Sequence, residues 1–368
     1  MIVFNALQTS LNAGIGRYSY ELAKELYMKN PKKLKIVIRK EDQELFSFAR
    51  SEDLIIAANI KNSKIRNIYE QLKLPWIIHK KFPDAIIHYP DTMAPLFSKN
   101  KVVITIHDLA FKSLKGVFTW KTVWWKNFIT NLSIGKADKI IAITKFTKDE
   151  ILKHYPKISE EKIVVIYNGF NDFSKESIRE KNVGDKIKNI NKPYILTVST
   201  ISPRKNIDGL IKAFNRIKGE VNENLIIVGS NGWMYNEVYK LAEQLELNDR
   251  VIFMGKVNDD ELKYLYRNAK IFAYLSFYEG FGLPPLEAMS YEIPCLVSDI
   301  GSISEVVEDK AIKVTPYSIE EISKYLLEMT RNSHILDRKG MSKHIKKFSW
   351  RICAKETFDA VSSINIYL

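Results

Sequence analysis

A chain of 368 residues exceeds what one hydrophobic core usually supports, so length alone asks for about two domains. Its 46% hydrophobic and 27% charged residues exclude a largely disordered chain, and no apolar run approaches the ~18 residues needed to span a bilayer. The formal charge of +13 belongs to one half: residues 1–190 hold 33 Lys/Arg against 20 Asp/Glu, whereas 191–368 hold 23 of each. A basic first half fits phosphorylated substrate, acidic lipid headgroups or nucleic acid, or else a lysine-rich solvated surface.

In chain order, the start Met1-Ile2-Val3-Phe4-Asn5 has no basic region ahead of an apolar stretch and reads as a first strand rather than a signal peptide. Strands are expected near 1–6, 34–38, 84–88, 101–106, 138–143 and 162–166, separated by helical patterns. The stretch Asn171–Lys192 is polar and aperiodic, and is expected to be an interdomain linker. A second series follows near 194–199, 224–228, 250–253, 270–275, 293–297 and 311–314. Such alternation specifies α/β units on parallel sheets. The final segment, Ser349–Tyr367, with Trp350, Ile352, Phe358 and Ile364, is expected to form a helix returning to the first domain. The two cysteines, Cys295 and Cys353, lack the spacing of a zinc or redox motif, and a reducing compartment is the default.

Open α/β sheets bind ligands beyond the C-terminal ends of their strands, so chemistry is sought in strand-to-helix loops. The pair Gly14-x-Gly16 lacks the third glycine of a dinucleotide fingerprint, Ser19 standing in its place, which counts against a nicotinamide oxidoreductase. His107-Asp108 follows the apolar run Val102–Ile106. Between 111 and 132, Phe118, Trp120, Trp124, Trp125 and Phe128 mix with Lys112, Lys115, Lys121 and Lys126. Trp120, Trp124 and Phe128 recur at four-residue spacing as one helical stripe, for which core packing is the expected role and an interfacial membrane surface is the alternative. Arg204-Lys205 opens a helix containing Leu210, Ile211 and Phe214. A guanidinium fork beside a point charge can neutralise a diphosphate. After the run Ile271–Leu275 comes Glu279-Gly280-Phe281-Gly282-Leu283-Pro284-Pro285-Leu286-Glu287-Ala288. Its glycines permit a tight turn, its prolines suit a helix start whose amides favour phosphate, and its carboxylates can accept from sugar hydroxyls. No Asp-x-Asp occurs, so no metal ligand set and no cofactor are expected.

Glu279, seven intervening residues and Glu287 in that setting resemble the signature of the family 4 retaining glycosyltransferases of GT-B fold. Ser202-Pro203-Arg204-Lys205-Asn206, Gly14-Ile15-Gly16-Arg17-Tyr18, His107-Asp108, Asn168-Gly169 and Ser298-Asp299-Ile300-Gly301 with Glu305 extend the likeness over nearly the whole chain. The resemblance implies two Rossmann-like doubly wound domains facing across a cleft, with a C-terminal helix crossing back to the first. The expected division is an acceptor-binding domain 1–175, a linker 176–192, a nucleotide-sugar-binding domain 193–348 and the helix 349–368. It further implies that Glu279 and His107 contact the transferring sugar and that Glu287 holds the ribose. Arg204, Lys205, Gly16 and the amides of Gly282 and Leu283 would bind the diphosphate, and Gly255, Lys256 and Val257 would line the base pocket. Gly14, Arg17 and Asp108 fall to the acceptor. Ala13, Ser302 and Ser304 depart from the family pattern and leave the acceptor-loop shape open.

The expected partners are a nucleotide-sugar donor and a glycan or lipid-linked oligosaccharide acceptor at the cytoplasmic side of a membrane, with peripheral contact to anionic lipid. GDP-mannose is the expected donor, with dTDP-rhamnose or a UDP-sugar as alternatives. A nucleotide-sugar epimerase or hydrolase of the same fold is a second class, and a nucleic-acid-binding protein, which would account for the positive charge, is a third. Nucleic acid is not expected as a partner, since no RNA-binding motif accompanies the charge.

Overall fold

The computed structural model describes residues 1–10, 14–57, 60, 62–114, 119–332 and 338–365. Two compact units result, one of Met1–Gly169 with Phe348–Leu368 and the other of Phe170–Lys347.

In the first unit, strands β1 (Ile2–Asn5), β2 (Leu34–Arg39), β3 (Leu54–Ala57), β4 (Ile86–Tyr89), β5 (Val102–Ile106), β6 (Lys139–Ala142) and β7 (Ile163–Val165) pair in parallel, in the order β3-β2-β1-β4-β5-β6-β7. Every residue of β4 and β5 is buried, as expected of parallel strands covered on both faces. β3 was not anticipated from sequence: it is a four-residue run at the sheet edge, with Ile56 39% exposed.

The second unit carries β8 (Tyr194–Val198), β9 (Asn224–Val228), β10 (Val251–Gly255), β11 (Ile271–Tyr274), β12 (Cys295–Ser298) and β13 (Ile312–Val314), all parallel, in the order β10-β9-β8-β11-β12-β13. Both sheets grow outward in two directions from a central pair. Their strand order therefore reverses between β1 and β4 and between β8 and β11, which opens a crevice beyond those strand ends.

Two boundaries differ from the sequence reading. Residues 176–192, expected as a linker, belong to the second unit, as do 170–175. Phe173, Val183 and Ile187 are buried there, Asn182 Nδ2 donates to Asp260 Oδ2 at 2.6 Å, and Lys263 pairs with Glu176 at 2.6 Å. Three anchors so widely spaced leave no periodicity to read. The helix Trp350–Ser362, capped by Ser349 accepting from Ile352 N, packs in the first unit: Trp350, Cys353, Ala354 and Val361 share a core with Tyr18, Leu22 and Leu26. Gly169 is required there, because a Cβ would lie 2.3 Å from Trp350 N. No helix among the described residues is long and apolar enough to cross a membrane.

The stripe expected in the core is outside it. On the helix Trp120–Lys136, Trp120, Trp124, Trp125 and Phe128 are 74%, 61%, 47% and 47% exposed, and the buried face is Ile129, Thr130, Ser133 and Ile134. Lys115 and Phe118 of that segment, and Ala13 of the glycine loop, lie outside the described residues, as do 366–368.

Candidate functional site

The β8/β11 crevice of the second unit is built by two loops that hold each other. After β8, residues Pro203–Lys205 form a single tight turn, which Asn206 ends in the left-handed region (φ 53°), its amide donating to Pro316 O at 2.8 Å. After β11, the loop is pinned at three points. Phe277 N donates to Arg204 O (2.9 Å), Ser298 Oγ to Ser276 O (2.7 Å) and Ser302 Oγ to Glu279 O (2.7 Å). Ser302, a departure from the family pattern, thus fixes the backbone of the loop glutamate.

These loops bring Arg204, Lys205 and Glu279 together. Arg204 Nη1 lies 2.8 Å from Glu279 Oε2 and 2.6 Å from Tyr278 O, and Lys205 Nζ pairs with Glu279 Oε1. Tyr274, at the end of β11, donates to Glu279 Oε1 at 3.0 Å and lies 2.9 Å from Lys205 Nζ. Burial would raise the Glu279 carboxyl, but Lys205 and Arg204 outweigh it and hold it down at about 2. The carboxylate is therefore charged at neutral pH, and the two cations share it.

Gly282 follows at φ 92°, which favours glycine, and starts the helix Leu283–Ser290 with Pro284 and Pro285 in its first turn. Glu287 is on that helix, 8% exposed, and accepts from Tyr266 Oη at 2.9 Å. Gly255 (φ 67°) ends the edge strand β10 at the same sheet end, followed by exposed Lys256 and half-buried Val257.

In the first unit, the helix Gly14–Lys29 begins beside the end of β5. Gly16 is buried and must be glycine, because a Cβ would meet Ser10 N and O at 2.5 Å; Gly14 faces open space and Arg17 is half-buried. Tyr18 stands edge-on to His107 with ring centroids 4.6 Å apart. His107 Nε2 lies 2.9 Å from Pro90 O, so it donates there. Burial lowers the imidazole's affinity for a proton more than Pro90, Asp91 and Asp108 raise it, which leaves Nδ1 as an acceptor on a neutral ring. Asp108 Oδ1 accepts from Ala110 N at 3.0 Å. A cavity of about 280 Å³ gathers Ile15, Asp91, His107, Asp108, Trp125 and Thr130.

Sequence reasoning missed four participants. Tyr274 and Tyr266 are bonded to the two glutamates, and Glu70 and Asp91 occupy the β1/β4 crevice. There Asn5 Nδ2 donates to Glu70 Oε1 (2.7 Å) and Gln8 Nε2 to Asp91 Oδ2 (2.6 Å). Asp91 shortly after β4 and Glu70 within a basic segment could have been flagged by position; Tyr266, inside a helix, and Tyr274, inside β11, carry no such signal. No group of three or more His, Cys, Asp or Glu among the described residues could hold a metal ion.

Comparison with known proteins decides the family. The profile "Glycosyltransferase Family 4" matches residues 13–172, and "Glycosyl transferases group 1" matches 178–348. The chain is a glycosyltransferase whose first part matches the family 4 model. O-antigen chain mannosyltransferase B of Escherichia coli is 28% identical over 94% of this chain and 95% of its own length. O-antigen chain mannosyltransferase RfbU of Salmonella typhimurium is 34% identical over 58% of this chain and 56% of its own. The crystal structure of Anabaena HepE in complex with UDP and glucose superimposes with a TM-score of 0.74 at 18% identity, covering 98% of this chain and 99% of that one. This glycosyltransferase has the α/β, two-domain GT-B fold, and each Rossmann-like sheet presents its loops at the crevice where such sheets bind ligands.

Proposed function

We propose that the chain transfers mannose from GDP-mannose, with retention of configuration and without a divalent metal, to a growing surface polysaccharide or lipid-linked oligosaccharide. The observation that carries this reading is the convergence of Arg204 and Lys205 on the ionised Glu279 at the β8/β11 crevice. The two O-antigen mannosyltransferases named above support the sugar and the acceptor class.

Arg204 and Lys205 take the diphosphate, and the amides of Gly282 and Leu283 add donors at the helix start. Glu279, relieved of part of its cation pairing, accepts from hexose hydroxyls, Glu287 from the ribose, and Gly255–Val257 line the base. As the anomeric carbon–oxygen bond breaks, its electron pair leaves on the diphosphate, where fixed cations stabilise it while the sugar becomes oxocarbenium-like. In the first unit, His107 Nδ1 accepts from a sugar hydroxyl, and the cavity with Asp108 near Gly14 and Arg17 receives the acceptor. The exposed aromatic residues of the helix Trp120–Lys136 rest on anionic lipid at the cytoplasmic face, with Lys121 and Lys126 on headgroup phosphates.

A thermal-shift screen over nucleotide sugars, followed by transfer assays in chelator, tests the reading. GDP-mannose is expected to give the largest shift, with transfer undiminished by chelator and lost in Arg204→Ala and Glu279→Ala. Absence of affinity for every sugar nucleotide and nucleoside diphosphate would overturn it. Equal release of free sugar with and without acceptor would replace transfer by hydrolysis.

A further inference from the structure

The helical stretch Ser63–Lys81 of the first unit has a face the proposed chemistry does not use. Pro75 lacks the N–H its helix would bond, and the turn just ahead of it, Tyr69–Lys73, widens to π geometry without ending the helix. One side, with Glu70, Leu74 and Ile78, is buried. On the other, Ile68, Leu72 and Trp76 recur at four-residue spacing and are 62%, 64% and 63% exposed, with Phe97 of the β4–β5 connection 80% exposed. Leu72, Pro75, Trp76 and Phe97 line a groove of about 460 Å³ with Lys80 and Lys99.

Charge on this face has one sign. Lys64, Lys73, Lys80 and Lys81 are exposed, and Lys80 Nζ stands 5.3 Å above the Trp76 ring. The only acid between 61 and 82, Glu70, is buried. Large apolar side chains interleaved with cations suit the headgroup layer of a membrane, where rings and lysine stems sit at acyl depth and ammonium groups meet phosphate. A second copy of this chain fits poorly, because it would bring another basic half against the first.

We propose that Ser63–Lys81 with Phe97 docks on an anionic bilayer, as a second contact surface beside the helix Trp120–Lys136. This inference rests on the peripheral-membrane reading above and deepens it. The two helices are joined through one residue: Gln71 Nε2 donates to Ala94 O (2.8 Å), and Ala94 N donates to Ser133 Oγ (3.0 Å). The cavity containing His107 takes Asn67 from the first helix and Trp125 and Thr130 from the second. Docking through both borders that cavity with headgroups, where a lipid-linked acceptor carries its sugars.

Cys295 and Cys353 are fully buried, so Leu72→Cys in the full chain offers one accessible thiol for an environment-sensitive dye. With phosphatidylcholine–phosphatidylglycerol vesicles the dye is expected to shift to the blue, with phosphatidylcholine alone it stays as in buffer, and a dye on Lys212→Cys of the second unit is unmoved. Trp76→Ser with Phe97→Ser is expected to weaken vesicle binding about tenfold, and Lys73→Glu with Lys80→Glu by a similar factor. A silent dye at 72, an equal response to neutral vesicles, or a blue shift of the protein alone that grows with its concentration would each overturn the proposal. GDP binding, measured on the same samples, separates the two readings. Protein that binds GDP with a silent dye sinks the docking face alone, and protein that docks but binds no nucleotide sinks the donor site alone.

Discussion

Glu279→Gln separates what the loop carboxylate does for the fold from what it does for transfer. The substitution keeps the shape and one acceptor oxygen and removes the charge that Arg204 and Lys205 share. The carboxyl is held at about 2 against an ordinary 4.5, and at ~1.36 kcal/mol per unit this makes the ionised form worth about 3 kcal/mol to the folded second unit. A depressed carboxyl contributes that stability in full above pH ~4.5 and loses it as the pH falls toward 2. The variant should therefore be about 3 kcal/mol less stable than wild type at pH 7, with the gap closing below pH ~4.5. Calorimetry should show this in the transition that GDP shifts. Added GDP replaces the missing negative charge, so it should raise the variant's melting temperature more than the wild type's, with GDP affinity kept or improved. Transfer should still fall by roughly 10²–10³, because a fixed contact to the reacting sugar is gone. Equal stability of variant and wild type at pH 7 would refute the idea that Glu279 neutralises the two cations. Loss of GDP affinity in step with transfer would show that the carboxylate, rather than the cations, is what grips the nucleotide.

Gly16→Ala should destabilise the first unit by about 1–3 kcal/mol, since its Cβ meets Ser10 backbone at 2.5 Å, whereas Gly14→Ala, facing open space, should be nearly neutral in the same melting experiment. Tyr266→Phe removes the donor to buried Glu287, a loss of about 1–2 kcal/mol; a donor KM raised about tenfold with kcat little changed is expected from steady-state kinetics. Glu70 responds to pH in the opposite sense to Glu279. Burial, aided by Asp91 and only partly offset by Arg66 and Asn5, raises its carboxyl to about 7, so its contribution to stability is greatest below pH ~4.5 and is lost as the pH rises through 7. Glu70→Gln should gain about 3 kcal/mol on wild type between pH 4.5 and 8 in urea unfolding; parallel pH curves for the two proteins would refute the assignment.

What the sequence made legible follows from how far apart the interacting residues lie. Strands buried on both faces are continuous apolar runs and were readable one by one; β3, half-exposed at an edge, and the arm at 170–192, anchored by three scattered apolar residues, were not. The residue types around Glu279 could be read in the loops, but the pairing with Arg204, 75 positions away, is a product of the β8/β11 adjacency. Tyr274 and Tyr266 lie only 5 and 21 positions from their glutamates, and it was their place in a strand and a helix, which reads as core, that hid them.

The exposed aromatic stripe was misassigned for a different cause. Periodicity says that side chains share a helix face; it does not say which way that face points. Charge placement carries the missing information. In the helix Ile207–Ile217, Ile207, Leu210, Ile211 and Phe214 are buried, and the other face bears Asp208 and Lys212, four apart and of opposite sign. That is the surface of an ordinary solvated helix packed on a core. In Trp120–Lys136 the aromatic residues are interleaved with Lys121 and Lys126 and the helix has no acid, and Ser63–Lys81 shows the same arrangement, its one glutamate turned inward. In Trp120–Lys136 no carboxylate on the helix balances the cations, and in Ser63–Lys81 the one glutamate lies 3.5 Å from Arg66. Read with that criterion, the helix Trp120–Lys136, which carries no acid, would have been assigned outward from sequence alone.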